Sequence, residues 1–517
     1  MIPKLTKYDP IFRNEYIFAG DAKNITLDTT LINLFMLMRN NGSRIKLKLR
    51  NHTHTIDSLK VYLATLEKQG YIAGYKGNEE AGEDWLRSSL VNMVNRGNLQ
   101  KENVSSLRPL HLESYRIRNI KHARDYNSSD QVYLMLSKQP NILKGLKDYL
   151  SVGWDNSSKT IVGNTPLDVD TVGILHLMRN IEYELLTSNS INQIKPILEK
   201  QADLFCDDIK RLLVYKEIIP RNVFIEYLQT LTGFHLSLYF QKLITLLPKM
   251  IKAGKKEVDD DWSIVADVTD NLDSRISVVA CADLQKTLNG LLDYIKATMQ
   301  VNAAMMLPSF SMKKPDDIND VLAVLANRDV TFEAFFMAKF SDIVSRFTEQ
   351  EDKEQLNEYV QFEKSDFDKY VLCVTKVRGA YQLKYTPQFL DKISMKNTDT
   401  AFIADGRSKR HTRRAVLGPR LLETLVQLLV LDAVNNQFVS KPLSIDELIS
   451  KIRERYGIII NGLNEPRFVD TDVRTHLAFK ENVEAFKNKL RQTGFYTDLS
   501  DANILQKIRP RYKFELL

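Results

Sequence analysis

An apolar helical stripe, a basic alternating run and a second short helix follow one another between Leu31 and Tyr75, and this order limits what the N-terminal part of the chain can form. Leu31, Leu34, Phe35 and Leu37 recur at helical spacing and stop at Asn40-Asn41-Gly42. Arg44-Ile45-Lys46-Leu47-Lys48-Leu49-Arg50 then alternates charge with apolar bulk, as a strand with one buried face does. Leu59, Leu63 and Leu66 mark a second helix from Ile56 to Gln69, which Thr55 can cap and Gly70 can end. Tyr71-Ile72-Ala73-Gly74-Tyr75 reads as a short strand. A related order closes the chain. Leu421 to Val434 is an apolar helix, and Ser444-Ile445-Asp446-Glu447 is a capping box opening another that ends near Gly457. Asn482 to Gln492 is a third, with Phe486 and Leu490 inward and Lys487, Lys489 and Arg491 outward. Phe495-Tyr496 and Ile508 to Phe514 are expected to form a two-stranded hairpin.

Both stretches resemble winged helix-turn-helix proteins. The expected fold is therefore mainly α: a multidomain helical protein with winged helix-turn-helix modules near the N- and C-termini. Four domains follow from the composition shifts: 1–100, the N-terminal module; 101–255, a helical middle; 256–400, mixed but mostly helical; and 401–517, the C-terminal module with a basic lead-in. Glu83 to Asn95 reads as a further helix and Ser105 to Tyr126 as irregular. From Asp168 to Lys252 antiparallel helices are expected, separated at Thr187-Ser188-Asn189-Ser190 and Ile219-Pro220-Arg221. Two β-leaning runs, Ile264-Val265 and Ile276 to Val279, follow the charged junction at 254–261. The polar segment from Ser394 to Thr412 should be exposed.

With 44% hydrophobic residues, 517 positions suffice for several buried cores. Only Cys206, Cys281 and Cys373 occur, too few and too scattered for a disulfide framework or a zinc cage. No apolar stretch reaches the ~18–20 residues that span a bilayer, and Met1 to Thr6 lacks the apolar core of a signal peptide, so a cytoplasmic location is expected. Phosphate-binding GxxxxGK[ST], HExxH and GxSxG patterns are missing. His52 and His54 read as residues of a polar connector, and the carboxylates from Asp259 to Asp273 as a solvated loop. No catalytic residue, metal or cofactor is expected, and the chain reads as a non-enzyme.

Basic clusters carry the functional reading, because closely spaced cations bind phosphates and release counterions. The net charge of +7 is dilute over the chain, but Phe402 to Arg420 holds six cations against the single carboxylate Asp405. The candidate double-stranded-DNA-binding residues are Arg44, Lys46, Lys48 and Arg50 on the N-terminal run. In the basic lead-in they are Arg407, Lys409, Arg410, Arg413 and Arg414, and at the end Lys487, Lys489, Arg491, Arg509 and Arg511.

The strings LTGFHLSLYF (231–240) and LRQTGFYTDLSDANILQKIRPRY (490–512) are similar to accessory proteins of bacterial anti-phage defence clusters, of the methylation-associated type. That resemblance implies a non-catalytic subunit working with ATPase, nuclease or methyltransferase partners, with no membrane. The expected function is DNA binding and scaffolding in such a complex. An alternative is a kleisin-like structural subunit of an SMC-type ATPase complex, whose winged helices bind protein and whose N-terminal module can homodimerise.

Overall fold

A computed structural model describes residues 3–19, 25–50, 55–95, 102–163, 167–179, 181–406, 408, 411–435, 437–496 and 507–514. It is mainly helical, with short sheets. Two compact units emerge. One comprises the described residues within Met1–Asn24, Ile194–Gln201 and Phe234–Leu517, and the other those within Ile25–Gln193 and Ala202–Gly233.

The unit beginning at Ile25 opens with helix α1 (Leu27–Arg39). Thr26 caps it by accepting from Thr29 N–H, and nearly every residue is buried, which explains why so few polar side chains interrupt it. Strand β1 (Ser43–Leu49) follows, then α2 (Ile56–Lys68), capped by Thr55. Gly70 leaves α2 at φ +76°, a conformation that favours glycine. Residues 71–75 are not a strand: Tyr75 and Lys76 donate their N–H groups to the Glu67 carboxylate, and that side-chain cap replaces a ladder. The helix expected over 83–95 divides into α3 (Glu79–Trp85), a π-helical turn (Leu86–Leu90) and strand β2 (Val91–Asn95), which pairs with β3 (Glu102–Leu107). Next come α4 (Ser128–Ser137), α5 (Pro140–Ser151), the short pair β4 (Trp154–Asp155) and β5 (Thr160–Ile161), and α6 (Val169–Met178). The segment expected to be a loop at 187–190 lies in strand β6 (Tyr183–Ser190), the antiparallel partner of β1. Backbone groups of β1 need hydrogen-bond partners, and a segment more than 130 residues onward supplies them. Helices α7 (Glu199–Val214) and α8 (Arg221–Ala253) follow, and the chain passes into the other unit within α8.

In that unit, β7 (Ile264–Asp267) is fully buried. The β-leaning run 276–279 instead sits in α9 (Arg275–Asn289). Ser274 caps this helix, and Ile276, Ala280 and Leu284 line its buried face at helical spacing. Helices α10 (Leu291–Ala304), α11 (Pro308–Met312), α12 (Ile318–Ala326), α13 (Val330–Ser345), α14 (Gln350–Val360) and α15 (Asp366–Ile393) form the helical part. Residues 3–19 are built into it. Asp9 accepts from Thr6 N–H (2.7 Å), Arg346 Nη1 (2.8 Å) and Tyr370 OH (2.9 Å), and Phe18 meets Tyr239, Phe240 and Phe389 edge-on.

Strands β8 (Ile403–Ala404) and β9 (Arg414–Val416) complete a sheet with β7, and β12 (Ile458–Ile459) joins it later, in the order β12-β7-β9-β8. Here β12, β7 and β9 are parallel and β8 is antiparallel. Parallel strands are covered on both faces, hence their continuous apolar sequence. The segment after Ser394 is therefore not simply exposed: Ala401, Phe402 and Ile403 are buried, and Phe402 packs edge-on against Phe234. Helix α16 (Pro419–Leu429) ends five residues before Val434. Strands β10 (Leu431–Val434) and β11 (Gln437–Ser440) then form a hairpin, with Asn435 at φ 49° as such turns require. Helix α17 (Ile445–Tyr456) carries the full capping box at Ser444 and Glu447. Helix α18 (Val473–Gln492) starts nine residues earlier than its charge pattern indicates, because Asp472 caps it. Ala478 and Phe479 of α18 share one core with Val265, Ile276, Ala280 and Ile459. Among the described residues, 495–496 and 508–514 do not form a simple hairpin. Ile508 bridges Leu443, while Arg509 N–H donates to the Phe495 carbonyl.

Candidate nucleic-acid interface

The β1–β6 ribbon sets Arg44 opposite Asn189, Lys46 opposite Thr187 and Lys48 opposite Glu184, with a bulge after Lys46. Alternation puts the four cations of the run on one face and Ile45, Leu47 and Leu49 on the other. Two half-buried arginines hold the ribbon in place. Arg118 donates to Asn33 Oδ1 and to the carbonyl of Ile45 in β1. Burial pulls its pKa down to about 10, so it stays charged at neutral pH. Arg116 donates to Tyr183 OH, at the start of β6.

The four cations are not equivalent. Arg44 is anchored within the unit, 2.6 Å from Asp130 and 3.6 Å from Asp125, with a further bond to Ser129 Oγ. Burial opposes its charge, but the two carboxylates outweigh burial and raise its pKa. Lys46, Lys48 and Arg50 are exposed and have no side-chain partner among the described residues. Three cations about 7 Å apart along a strand, from its rise per residue, project into solvent, with the Glu184 carboxylate across from Lys48 on that face of the ribbon. Sequence reasoning missed Thr187 and Asn189, whose polar side chains share this face. Their string reads as turn chemistry, and only pairing with β1 reveals it.

The basic lead-in is arranged otherwise. Arg407, Lys409 and Arg410 lie outside the described residues. Arg413 makes a two-pronged pair with Asp391 (2.6 and 2.8 Å). Those hydrogen bonds are the largest influence on Arg413 and raise its pKa against the opposing effect of burial. Arg414 is turned inward: its side chain is 6% exposed, and its Nε donates to Asp267 Oδ2 at 2.7 Å. At the C-terminal end, Lys489 is not outward as its helix position suggested. It is buried, with Nζ donating to Asp270 (2.9 Å) and to the carbonyl of Leu417. Arg511 donates to Glu423 and to the carbonyl of Thr493, and stacks on Phe495. Lys487 pairs locally with Glu484 on the solvent side of α18. Arg491 is exposed, donating to Asn488 above the Tyr496 ring, and Arg509 is exposed as well. The structure thus sorts the candidates by partner: Arg44, Arg413, Arg414, Lys489 and Arg511 meet carboxylates from other elements of their unit, Lys487 meets one on its own helix, and Lys46, Lys48, Arg50, Arg491 and Arg509 are exposed.

The carboxylates from Asp260 onward are largely paired. Asp260 and Asp261 take Lys242 and Lys249 of α8, Asp267 takes Arg414, and Asp270 takes Lys489. Among the described residues, no three His, Cys, Asp or Glu side chains converge as metal ligands do. No helix among them is long and apolar enough to cross a membrane.

A family model described as methylation-associated defense system protein MAD7 matches residues 7–512. The chain belongs to this family. The similarity carried by 231–240 and 490–512 therefore extends over nearly the whole sequence, and membership makes this a protein of a methylation-associated defence system. No curated protein sequence matches it.

Proposed function

We propose that this MAD7-family chain is a non-catalytic subunit that binds double-stranded DNA and serves as a scaffold for the other proteins of its defence system. The observation that carries the reading is the ribbon. Lys46, Lys48 and Arg50 lie on one exposed face and form no ion pair among the described residues, beside Thr187 and Asn189 and with one carboxylate, Glu184, opposite Lys48. A duplex major groove is wide enough for a two-stranded ribbon, and Lys, Thr and Asn are side chains that reach phosphates and base edges there.

The C-terminal segment supports a winged-helix reading. Helix α16, the bridge residue Leu443, helices α17 and α18, then Phe495 and Ile508 follow in the order of that motif. Ile508 bridges back to Leu443, and Arg509 N–H donates to the Phe495 carbonyl, two single contacts at the place where a wing would lie. Its outward cations are Lys487, Arg491 and Arg509. One face of α18 is already packed against α9 and β7, so a nucleic acid would meet the opposite face. The large helical remainder gives surface for partner proteins; an ATPase, nuclease or methyltransferase would supply the chemistry.

Duplex binding by the full chain, followed by fluorescence anisotropy at several salt concentrations, tests the proposal. Micromolar or tighter binding that weakens steeply with salt is expected, since each neutralised phosphate contributes about 0.9 to the logarithmic slope. Absence of binding at low salt overturns it.

A further inference from the structure

A separate cleft of about 430 Å³ opens between the α2–α3 connection and α6. The rings of Tyr71, Tyr75, Trp85 and His176 line it, with Leu63 and Val172. No charged side chain is among its lining residues. Its volume falls in the lower half of the range typical for small-molecule sites.

Several features fix the rings. Trp85 Nε1 donates to Asp170 Oδ1 (2.7 Å), which orients the indole. Tyr71 is stacked by the Arg179 guanidinium at 3.7 Å and lies within 29° of parallel to the His176 ring, 6.3 Å away. Burial, reinforced by Arg179, lowers the His176 pKa and so disfavours the charged form of that ring. Two helical glycines make room. A Cβ on Gly82 would fall 2.5 Å from the Tyr75 ring, and one on Gly173 would fall 2.5 Å from Trp85. Glycine is unfavourable inside a helix, so both positions give up helix stability to seat these rings against backbone. Trp85 also directly precedes the π-helical turn at Leu86–Leu90, a distortion that recurs at functional sites.

We infer that this cleft binds one planar heterocyclic base, either as a free nucleoside or nucleotide or as an unpaired base of a nucleic acid. Aromatic rings stack on any base face, whatever its sequence identity. An uncharged lining suits a neutral ring, whereas it would leave a cationic ligand without a counter-charge. Phosphate would stay outside, where the exposed Lys68 and Lys76 flank the lining segment in sequence. The inference goes beyond the ribbon and does not depend on it.

The test uses the full chain, with adenosine, guanosine, cytidine and thymidine as probes in saturation-transfer NMR and calorimetry. Stacking on these rings predicts a Kd of about 0.1–10 mM for at least one base. Ala81→Trp, at an exposed lining position, fills the cleft and should weaken binding roughly 10-fold or more. Tyr75→Ala removes a ring and serves as the second variant, with circular dichroism and thermal melting confirming that each is folded. No binding of any nucleoside by the natural chain, or full affinity in both folded variants, overturns the site. A labelled duplex with one unpaired adenine then separates the sources. Tighter binding than the fully paired duplex, lost in Ala81→Trp, assigns an unpaired base in nucleic acid. Equal binding of the two duplexes, with nucleosides still bound, assigns a free nucleoside or nucleotide. A chain that binds nucleosides but no duplex keeps this site and removes the DNA-binding proposal; the reverse result removes this site alone.

Discussion

Arg414 and Asp267 form a buried ion pair between adjacent parallel strands: Nε to Oδ2 is 2.7 Å, and both side chains are almost wholly shielded from water. Asp267 also accepts from the N–H and the hydroxyl of Thr269, so its carboxylate is compensated from both sides. The arginine thus belongs to the sheet although it ends a run that reads as a phosphate-binding loop. Removing one partner leaves a buried charge alone. Arg414→Ala should destabilise the chain by about 3–5 kcal/mol, visible as a lower denaturation midpoint. A loss below about 1 kcal/mol would mean that the pair is not buried as described.

The ribbon cations should behave in the opposite way. Lys46→Ala, Lys48→Ala and Arg50→Ala together should leave stability within about 0.5 kcal/mol, because exposed unpaired charges contribute little to folding. Duplex affinity should fall, and the logarithmic salt slope should shrink by up to about 3 if each cation meets one phosphate. An unchanged slope in anisotropy titrations would take the ribbon out of the interface.

Thr187 and Asn189 offer a finer test. Their replacement by Ala should leave the salt slope unaltered while narrowing the difference between tight and weak DNA sequences, by about 1–3 kcal/mol if a base edge is read. Competition binding with a sequence library measures this. A uniform loss across all sequences would assign them a backbone contact instead.

Asp9 predicts a pH dependence. Burial pushes its carboxyl up, but the Thr6 N–H, Arg346 and Tyr370 outweigh that and hold it below the ordinary value of 3.8. A group whose folded pKa is depressed stabilises the fold above its unfolded pKa, and that contribution is lost as pH falls through the folded value. Denaturation of the natural chain and of Asp9→Asn should therefore differ most above about pH 4 and converge in stronger acid. A difference that grows as the pH falls would contradict the assignment.

Gly457 ends α17 at φ +74°, where an added Cβ would lie 3.0 Å from the carbonyl oxygen of Trp262. Gly457→Ala should lower stability by about 1–2 kcal/mol, read from chemical denaturation. A neutral or stabilising result would mean that this turn relaxes freely.

Much of the helical framework was legible because its determinants are local. The caps at Thr55 and Ser444, the stops at Gly70 and Gly457, and the spacing of Leu59, Leu63 and Leu66 lie within a few residues of what they control. The alternation from Arg44 to Arg50 identified a strand for the same reason. Pairing was not legible. The 187–190 half of β6 reads as a polar separator until β1 is placed beside it, and Ile276 to Val279 reads as a strand until Ser274 caps it as a helix.

The sequence by itself determined where cations occur, where the locally capped helices begin and end, and the family to which the chain belongs. Only tertiary structure decided which cations face water. Arg413, Arg414 and Lys489 meet carboxylates from elsewhere in the fold, while Lys46, Lys48 and Arg50 meet none among the described residues. The reason is physical: a charge leaves water only where a distant partner compensates it, and no local pattern records that partner.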